Sequence, residues 1–149
     1  MHPLPHKYTV SSRATPDGDV QLMADGVAPL TTAVPPEFGG PGGHWSPETL
    51  QVAAALDCFV LTFRGLARVA RVAWTSLECD ATGMLDRLDG KMQFTNFVIR
   101  AYLTVPEGTS VQDAQRVLRR ADDTCLIASS LKGLMRLEFE VTEEAATPA

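Results

Sequence analysis

The sequence predicts an α+β fold with a mostly antiparallel sheet, one long central helix and two shorter helices. Three observations carry the prediction. Apolar side chains run almost without a break behind a strong helix-start signal at residues 46–48. Segments of period two, punctuated by Asp-Gly turns, lie on both sides of that helix. The order of elements is strands, long helix, strands, two helices, strand, without the strand–helix alternation of a parallel α/β sheet.

Each element has a local reason. Lys7 to Arg13 is rich in Tyr, Thr, Val and Ser and reads as a strand. Thr15-Pro16-Asp17-Gly18 is a turn, Val20 to Met23 returns, and Asp25-Gly26 turns again before Val27 to Val34. Pro35-Pro36-Glu37-Phe38-Gly39-Gly40-Pro41-Gly42-Gly43 is a loop by composition, read as a flexible connection. Ser46 can cap the helix, Pro47 suits its first position, and Glu48 favours its positive end. The helix runs to about Arg71. It is apolar nearly all round through Leu56, which predicts burial on most faces. At about 1.5 Å per residue it is a rod of nearly 40 Å, long for so small a domain, so a second subunit is expected to cover part of it.

From Thr75 the period is two, with Leu77, Cys79 and Ala81 on one face. Asp89-Gly90 turns between Met84–Leu88 and a strand from Lys91 whose inner face is Phe97, Ile99, Ala101, Leu103 and Val105. Pro106-Glu107-Gly108 ends it. Ser110 and Asp113 open a helix that carries Val111, Ala114, Val117 and Leu118 inward. Asp123-Thr124 reads as the start of a short helix with Cys125 in its first turn and Gly133 past its end. Met135, Leu137, Phe139 and Val141 form a last strand. The expectation is one domain over 1–149, frayed at 1–6 and 143–149.

Composition narrows the function. The chain of 149 residues carries a net charge of −5. No basic run supplies phosphate contacts, so nucleic acid is not the expected partner. Arg64, Arg68 and Arg71 sit at helical spacing and read as a solvated face. The N-terminus lacks an apolar run, and no stretch is expected to reach the roughly 18 apolar residues of a membrane span. A soluble cytoplasmic protein without a membrane partner is the expectation. Three cysteines without a secretion signal suggest thiols kept for chemistry or packing.

Cys58, mid-helix among apolar residues, is on composition a buried structural cysteine or a thiol needing a specific stabiliser. Cys125 in a first helical turn would have free N–H groups and the positive helix end near its sulfur, which favours thiolate. Cys79 reads as core. Metal-ligand spacings such as CxxC or HExxH do not occur, and His44 reads as a surface loop residue, so neither a metal nor a cofactor is expected. Serine-hydrolase and phosphate-loop motifs are also missing.

Two segments together resemble the OsmC/Ohr hydroperoxide reductases. The first is Glu37-Phe38-Gly39-Gly40-Pro41-Gly42-Gly43, Ser46-Pro47-Glu48-Thr49-Leu50 and Ala54-Ala55-Leu56-Asp57-Cys58-Phe59; the second is Asp123-Thr124-Cys125-Leu126-Ile127-Ala128-Ser129-Ser130-Leu131. The order of elements matches from about Lys7 to Thr142. The resemblance implies an OsmC-like fold in an intertwined homodimer. It implies that Cys58 attacks a hydroperoxide and becomes a sulfenic acid, that Cys125 resolves it as a disulfide, and that a dithiol, lipoyl-linked in some relatives, resets the pair. Glu48 matches the family's site glutamate, which in relatives holds an arginine beside the thiolate. Here that arginine is missing: Pro16 and its neighbours, or Glu37, stand at the two expected places. Phe38, Trp45, Phe59 and Phe63 are candidates for an apolar substrate pocket, with core packing the alternative. Glu48 and Cys58, ten residues apart on one unbroken helix, would be separated by about 15 Å along its axis, so a shared site requires Glu48 from a second subunit or a break in the helix, and the first is expected. The rival to a peroxidase is a divergent protein of the same fold with a binding or other thiol role.

Overall fold

The computed structural model describes residues 1–145. Two compact units divide the chain, Met1–Gln51 and Val52–Ala149.

In the first unit, β1 (Ser11–Arg13), β2 (Val20–Met23) and β3 (Leu30–Thr32) form an antiparallel meander in the order β1-β2-β3. Ser12 stands opposite Leu22, and Gln21 opposite Thr31. β1 and β3 are shorter than their composition suggested, because Lys7 to Val10 and Val27 to Pro29 lie outside the pairing. The Gly-rich stretch opens on a folded turn. The Gly39 and Gly40 N–H groups donate to Pro36 and Pro35 at 2.9 and 3.0 Å, closing a short 3₁₀ turn over Pro36–Phe38. A Cβ on Gly40 would lie 1.6 Å from the Val34 carbonyl oxygen, so only glycine lets the two backbones meet there.

Helix α1 spans Pro47–Ala70. Ser46 caps it reciprocally: the Thr49 N–H donates to Ser46 Oγ at 3.2 Å, and the Ser46 N–H donates to Thr49 Oγ1 at 2.9 Å. Within the single chain the burial falls on one stripe. Ala55, Phe59, Phe63 and Ala67, each four residues from the last, are buried, while Leu61 is 51% and Val69 82% exposed. By length and composition alone α1 also qualifies as a membrane-crossing helix. The hydropathy persists across the isolated charges that interrupt the run. The buried stripe faces the sheet of the second unit.

That sheet has the order β4-β5-β6, with β4 at Ser76–Leu88, β5 at Lys91–Val105 and β6 at Leu134–Glu143. β4 and β5 form the antiparallel hairpin expected at Asp89-Gly90, both residues with positive φ (50° and 78°). β6 joins β5 in parallel. Parallel neighbours need a crossover, and helix α2 (Val111–Asp123), capped by Ser110, provides it. Phe97, Ile99, Ala101, Leu103 and Val105 all point inward. Most of that face joins Phe59 and Phe63 of α1 and Ala114, Val117, Leu118 and Ala121 of α2 in one core. On the outer face Arg100 bridges Asp80 (3.4 Å) and Glu138 (3.1 Å) across the three strands. The expected short helix after α2 is a 3₁₀ turn over Ala128–Ser130; β6 takes in Glu143, the first residue of the tail expected to fray, and positions 146–149 of that expectation lie outside the described residues.

Candidate active site

The 58/125 thiol pair lies where α1 meets the segment that follows α2. The sequence places Cys125 in the first turn of a helix; in the structure it stands two residues past the end of α2. Ala121 is fully buried, and α2 stays helical through Asp123, the first residue of the apparent start signal, with Thr124 as its C-cap. The chain then opens one new turn: the Cys125 carbonyl accepts the Ser129 N–H at 3.1 Å, the Ile127 carbonyl accepts Ser130, and the Ala128 carbonyl accepts Leu131. The N–H groups of Leu126, Ile127 and Ala128 have no backbone acceptor among the described residues. They form a cradle of three successive donors.

Both sulfurs face this cradle. Cys125 is buried, and its Sγ lies 4.0 Å from the Ala55 carbonyl oxygen, one turn before Cys58 on α1. Cys58 is half-buried, within hydrogen-bonding reach of the Cys125 thiol. Burial opposes the Cys58 thiolate. The Ile127 N–H, the Cys125 thiol, the Thr62 hydroxyl and the Leu126 N–H together outweigh it and hold Cys58 below the ordinary thiol range. For Cys125 the balance reverses. Burial raises it, the Ala128 and Ile127 N–H groups only partly compensate, and the neighbouring Cys58 raises it further. The elementary expectation, an inert Cys58 and a thiolate-prone Cys125, is therefore inverted. Cys79 stays a packing residue: burial and then Asp80 push its thiol to about 11.

The other candidate residues are dispersed. Phe59 and Phe63 have no exposed surface and belong to the core, the packing alternative. Phe38 and Trp45 are half exposed. Trp45 and His44 line an open groove with Leu30, Thr31, Gly43 and Thr49, and His44 Nε2 lies 3.5 Å from Asp19 Oδ2. Glu48 sits in the first turn of α1, and the helix is unbroken from it to Cys58, so about 15 Å of rise separates them. Its Oε2 is buried without a hydrogen-bond partner. Arg64, Arg68 and Arg71 are exposed, and among the described residues no guanidinium acts on Cys58. No group of His, Cys, Asp or Glu among the described residues could hold a metal ion. Sequence reasoning missed Thr62 and the three N–H donors. Thr62 was findable, being four residues after Cys58 on a helix.

This arrangement can sustain a nucleophilic thiolate beside a second thiol that stays protonated until needed. The family profile described as OsmC-like protein matches residues 40–140. The uncharacterized protein YmaD of Bacillus subtilis is 20% identical over 140 residues, 92% of this chain and 93% of its own. An OsmC-like protein of unknown function from Vibrio cholerae superposes with a TM-score of 0.83 at 21% identity, covering 91% of this chain and 100% of its own. The organic hydroperoxide resistance protein OsmC of Legionella pneumophila superposes with a TM-score of 0.72 at 22% identity, covering 94% and 99%. An organic hydroperoxide resistance protein from Elizabethkingia anophelis gives 0.69 at 19%, covering 95% and 100%.

Proposed function

The chain belongs to the OsmC-like family, and we propose that it is a dithiol-dependent peroxidase for organic hydroperoxides. One observation carries the reading: Cys125 Sγ lies 4.0 Å from the Ala55 carbonyl, one turn before Cys58, where three N–H groups without a backbone acceptor among the described residues meet the helix. The Cys58 thiolate attacks the outer oxygen of ROOH. The S–O bond forms, the O–O bond breaks, and the alkoxide leaves and takes a proton as ROH. Sulfur is oxidised by two electrons and becomes a sulfenic acid. The Cys125 sulfur, losing its proton, then attacks the Cys58 sulfur; an S–S bond forms and water leaves. A small dithiol or a protein-bound one reduces the disulfide by exchange and restores both thiols.

The protein acts as a homodimer in this proposal. The exposed apolar side chains of α1 are the surface a second copy covers, and the unpartnered Glu48 Oε2 is the acid it completes. The test is turnover of cumene hydroperoxide with a dithiol by wild type and Cys58→Ser, at concentrations where the association state is known. Turnover is expected in wild type alone; equal turnover in both removes Cys58 as nucleophile.

A second reading has one observation in its favour. The donors around Cys58 are backbone and hydroxyl groups, not a guanidinium. Under that reading the pair exchanges thiols or binds a ligand, and peroxide turnover is slow in every variant.

A further inference from the structure

Past α2 the chain changes its hydrogen-bonding step. The Cys125 carbonyl accepts an N–H four residues on, Ser129 at 3.1 Å. The Ile127 and Ala128 carbonyls accept N–H groups three residues on, Ser130 at 2.9 Å and Leu131 at 3.1 Å. This change from α to 3₁₀ spacing passes over the Leu126 carbonyl, which has no backbone donor among the described residues. Two side chains fill the gap. Ser129 Oγ donates to the Leu126 oxygen at 2.8 Å, and Ser130 Oγ at 3.2 Å. One serine bonding back to a carbonyl three or four residues earlier is common. Here two hydroxyls converge on one carbonyl, and it is the one the backbone ladder skips. Leu126, Ser129 and Ser130 are all exposed, so water can satisfy that oxygen, and the serines supply direction more than stability.

Direction matters because a peptide unit is planar and trans: its C=O and the next residue's N–H point opposite ways. The Cys125, Leu126 and Ile127 carbonyls are all bonded toward the 129–130 end of the turn. The Leu126, Ile127 and Ala128 N–H groups therefore face the other end, which is the thiol site. Cys125 takes the place of a helix-capping residue, whose side chain lies beside the second and third N–H groups that follow, here those of Ile127 and Ala128. Its Sγ is 4.0 Å from the Ala55 carbonyl on α1, one turn before Cys58. Cys58, raised by burial yet lowered on balance by donors of which the Ile127 N–H comes first, agrees with that direction. Of the three peptide units, only the one joining Leu126 to Ile127 has its carbonyl held by side chains alone, so it is the one that substitutions can release.

We propose that Ser129 and Ser130 are positioning residues of the thiol site: their hydroxyls hold the Leu126 carbonyl at the far end of the turn and so keep the Ile127 N–H aimed at the sulfurs. This rests on the peroxidase reading only for what the thiol attacks. The aim of the peptide unit is a property of the reduced protein by itself.

The test uses the reduced full-length chain. Cys58 is alkylated with iodoacetamide from pH 5 to 10 and followed by peptide mass spectrometry in wild type, in a Ser129→Ala, Ser130→Ala double variant and in a Ser129→Thr, Ser130→Thr double variant. Alanine removes both hydroxyls at exposed positions and is the better helix former, so the melting temperature should hold. Threonine keeps hydroxyls able to make the same back-bonds. Losing an anchor of about one net hydrogen bond predicts about threefold slower alkylation below the midpoint in the alanine variant. Its midpoint moves to higher pH, the rates converge above it, and the threonine variant behaves as wild type. Cumene hydroperoxide turnover falls by the same factor. Should the alanine variant melt lower than wild type, Ser129→Ala alone, which loses the shorter bond, gives the same readout. The proposal is overturned when the alanine variants titrate as wild type does, or when the threonine variant is as impaired as the alanine one. A rate loss that persists unchanged above the midpoint also overturns it, since that is lost access and not lost aim. A wild type without peroxide turnover refutes the peroxidase, and the alkylation midpoints still decide the role of the two serines.

Discussion

Replacing Ile127 by proline removes one donor from both sulfurs and little else. The Ile127 φ is −68°, already the value proline imposes, and its N–H serves no backbone carbonyl. Its N–H is the first of the donors holding Cys58 down and also reaches Cys125. A charge-assisted hydrogen bond contributes about 1.5 kcal/mol at the low end, and about 1.4 kcal/mol moves a thiol midpoint by one pH unit. At pH values below the midpoint, the thiolate fraction and the alkylation rate of Cys58 should fall by about tenfold. The sign follows from the acid: losing a donor to the thiolate raises its midpoint, so the loss is largest below the wild-type midpoint and vanishes once both variants are fully ionised. Ile127→Ala is the control, since it loses the half-buried side chain and keeps the N–H; it should alkylate as wild type does. Proline also restricts Leu126, so melting temperatures are compared alongside. Equal pH profiles for Ile127→Pro and Ile127→Ala would refute the idea that the backbone cradle stabilises the thiolate.

Three further outcomes are expected. Cys125→Ser should leave the first oxidation intact and let a Cys58 sulfenic acid accumulate, seen as dimedone labelling absent from wild type, with turnover by a dithiol reduced at least tenfold. Asp122→Asn should raise the melting temperature at pH 7. Burial and then Asp123 raise the Asp122 carboxyl, so its stabilising contribution is present at acid pH and lost as pH rises through its folded value; the gain from Asn should therefore vanish below the ordinary carboxylate range. Gly40→Ala should cost about 2–4 kcal/mol in denaturant melts, because a Cβ there meets the Val34 carbonyl and the backbone must move.

Local signals made much of the fold readable. The Asp89-Gly90 hairpin, the Ser46 and Ser110 caps and the inward face Phe97 to Val105 depend on short-range chemistry or strict periodicity, and the structure has them where the sequence places them. What failed depends on tertiary contact. Asp123-Thr124 has the composition of a helix start, yet with Ala121 buried Asp123 ends α2 and Thr124 caps its C-terminus, so Cys125 begins a turn. The same contact inverted the two thiols. Apart from Thr62, the stabilisers of Cys58 were out of view, because the Leu126 and Ile127 N–H groups come from nearly seventy residues away in the chain. The apolar circumference of α1 gave no hint that a single stripe, Ala55 to Ala67, meets the sheet. Phe59 and Phe63 looked equally suited to pocket and core until their burial decided it.

The account stands most directly on one experiment. The reduced protein is treated with one equivalent of cumene hydroperoxide, then alkylated and mapped without reductant. A Cys58–Cys125 disulfide is the predicted product, with both thiols lost together, Cys79 still free and one equivalent of alcohol released. Full recovery of alkylated Cys58 and Cys125, or a linkage through Cys79, would contradict it.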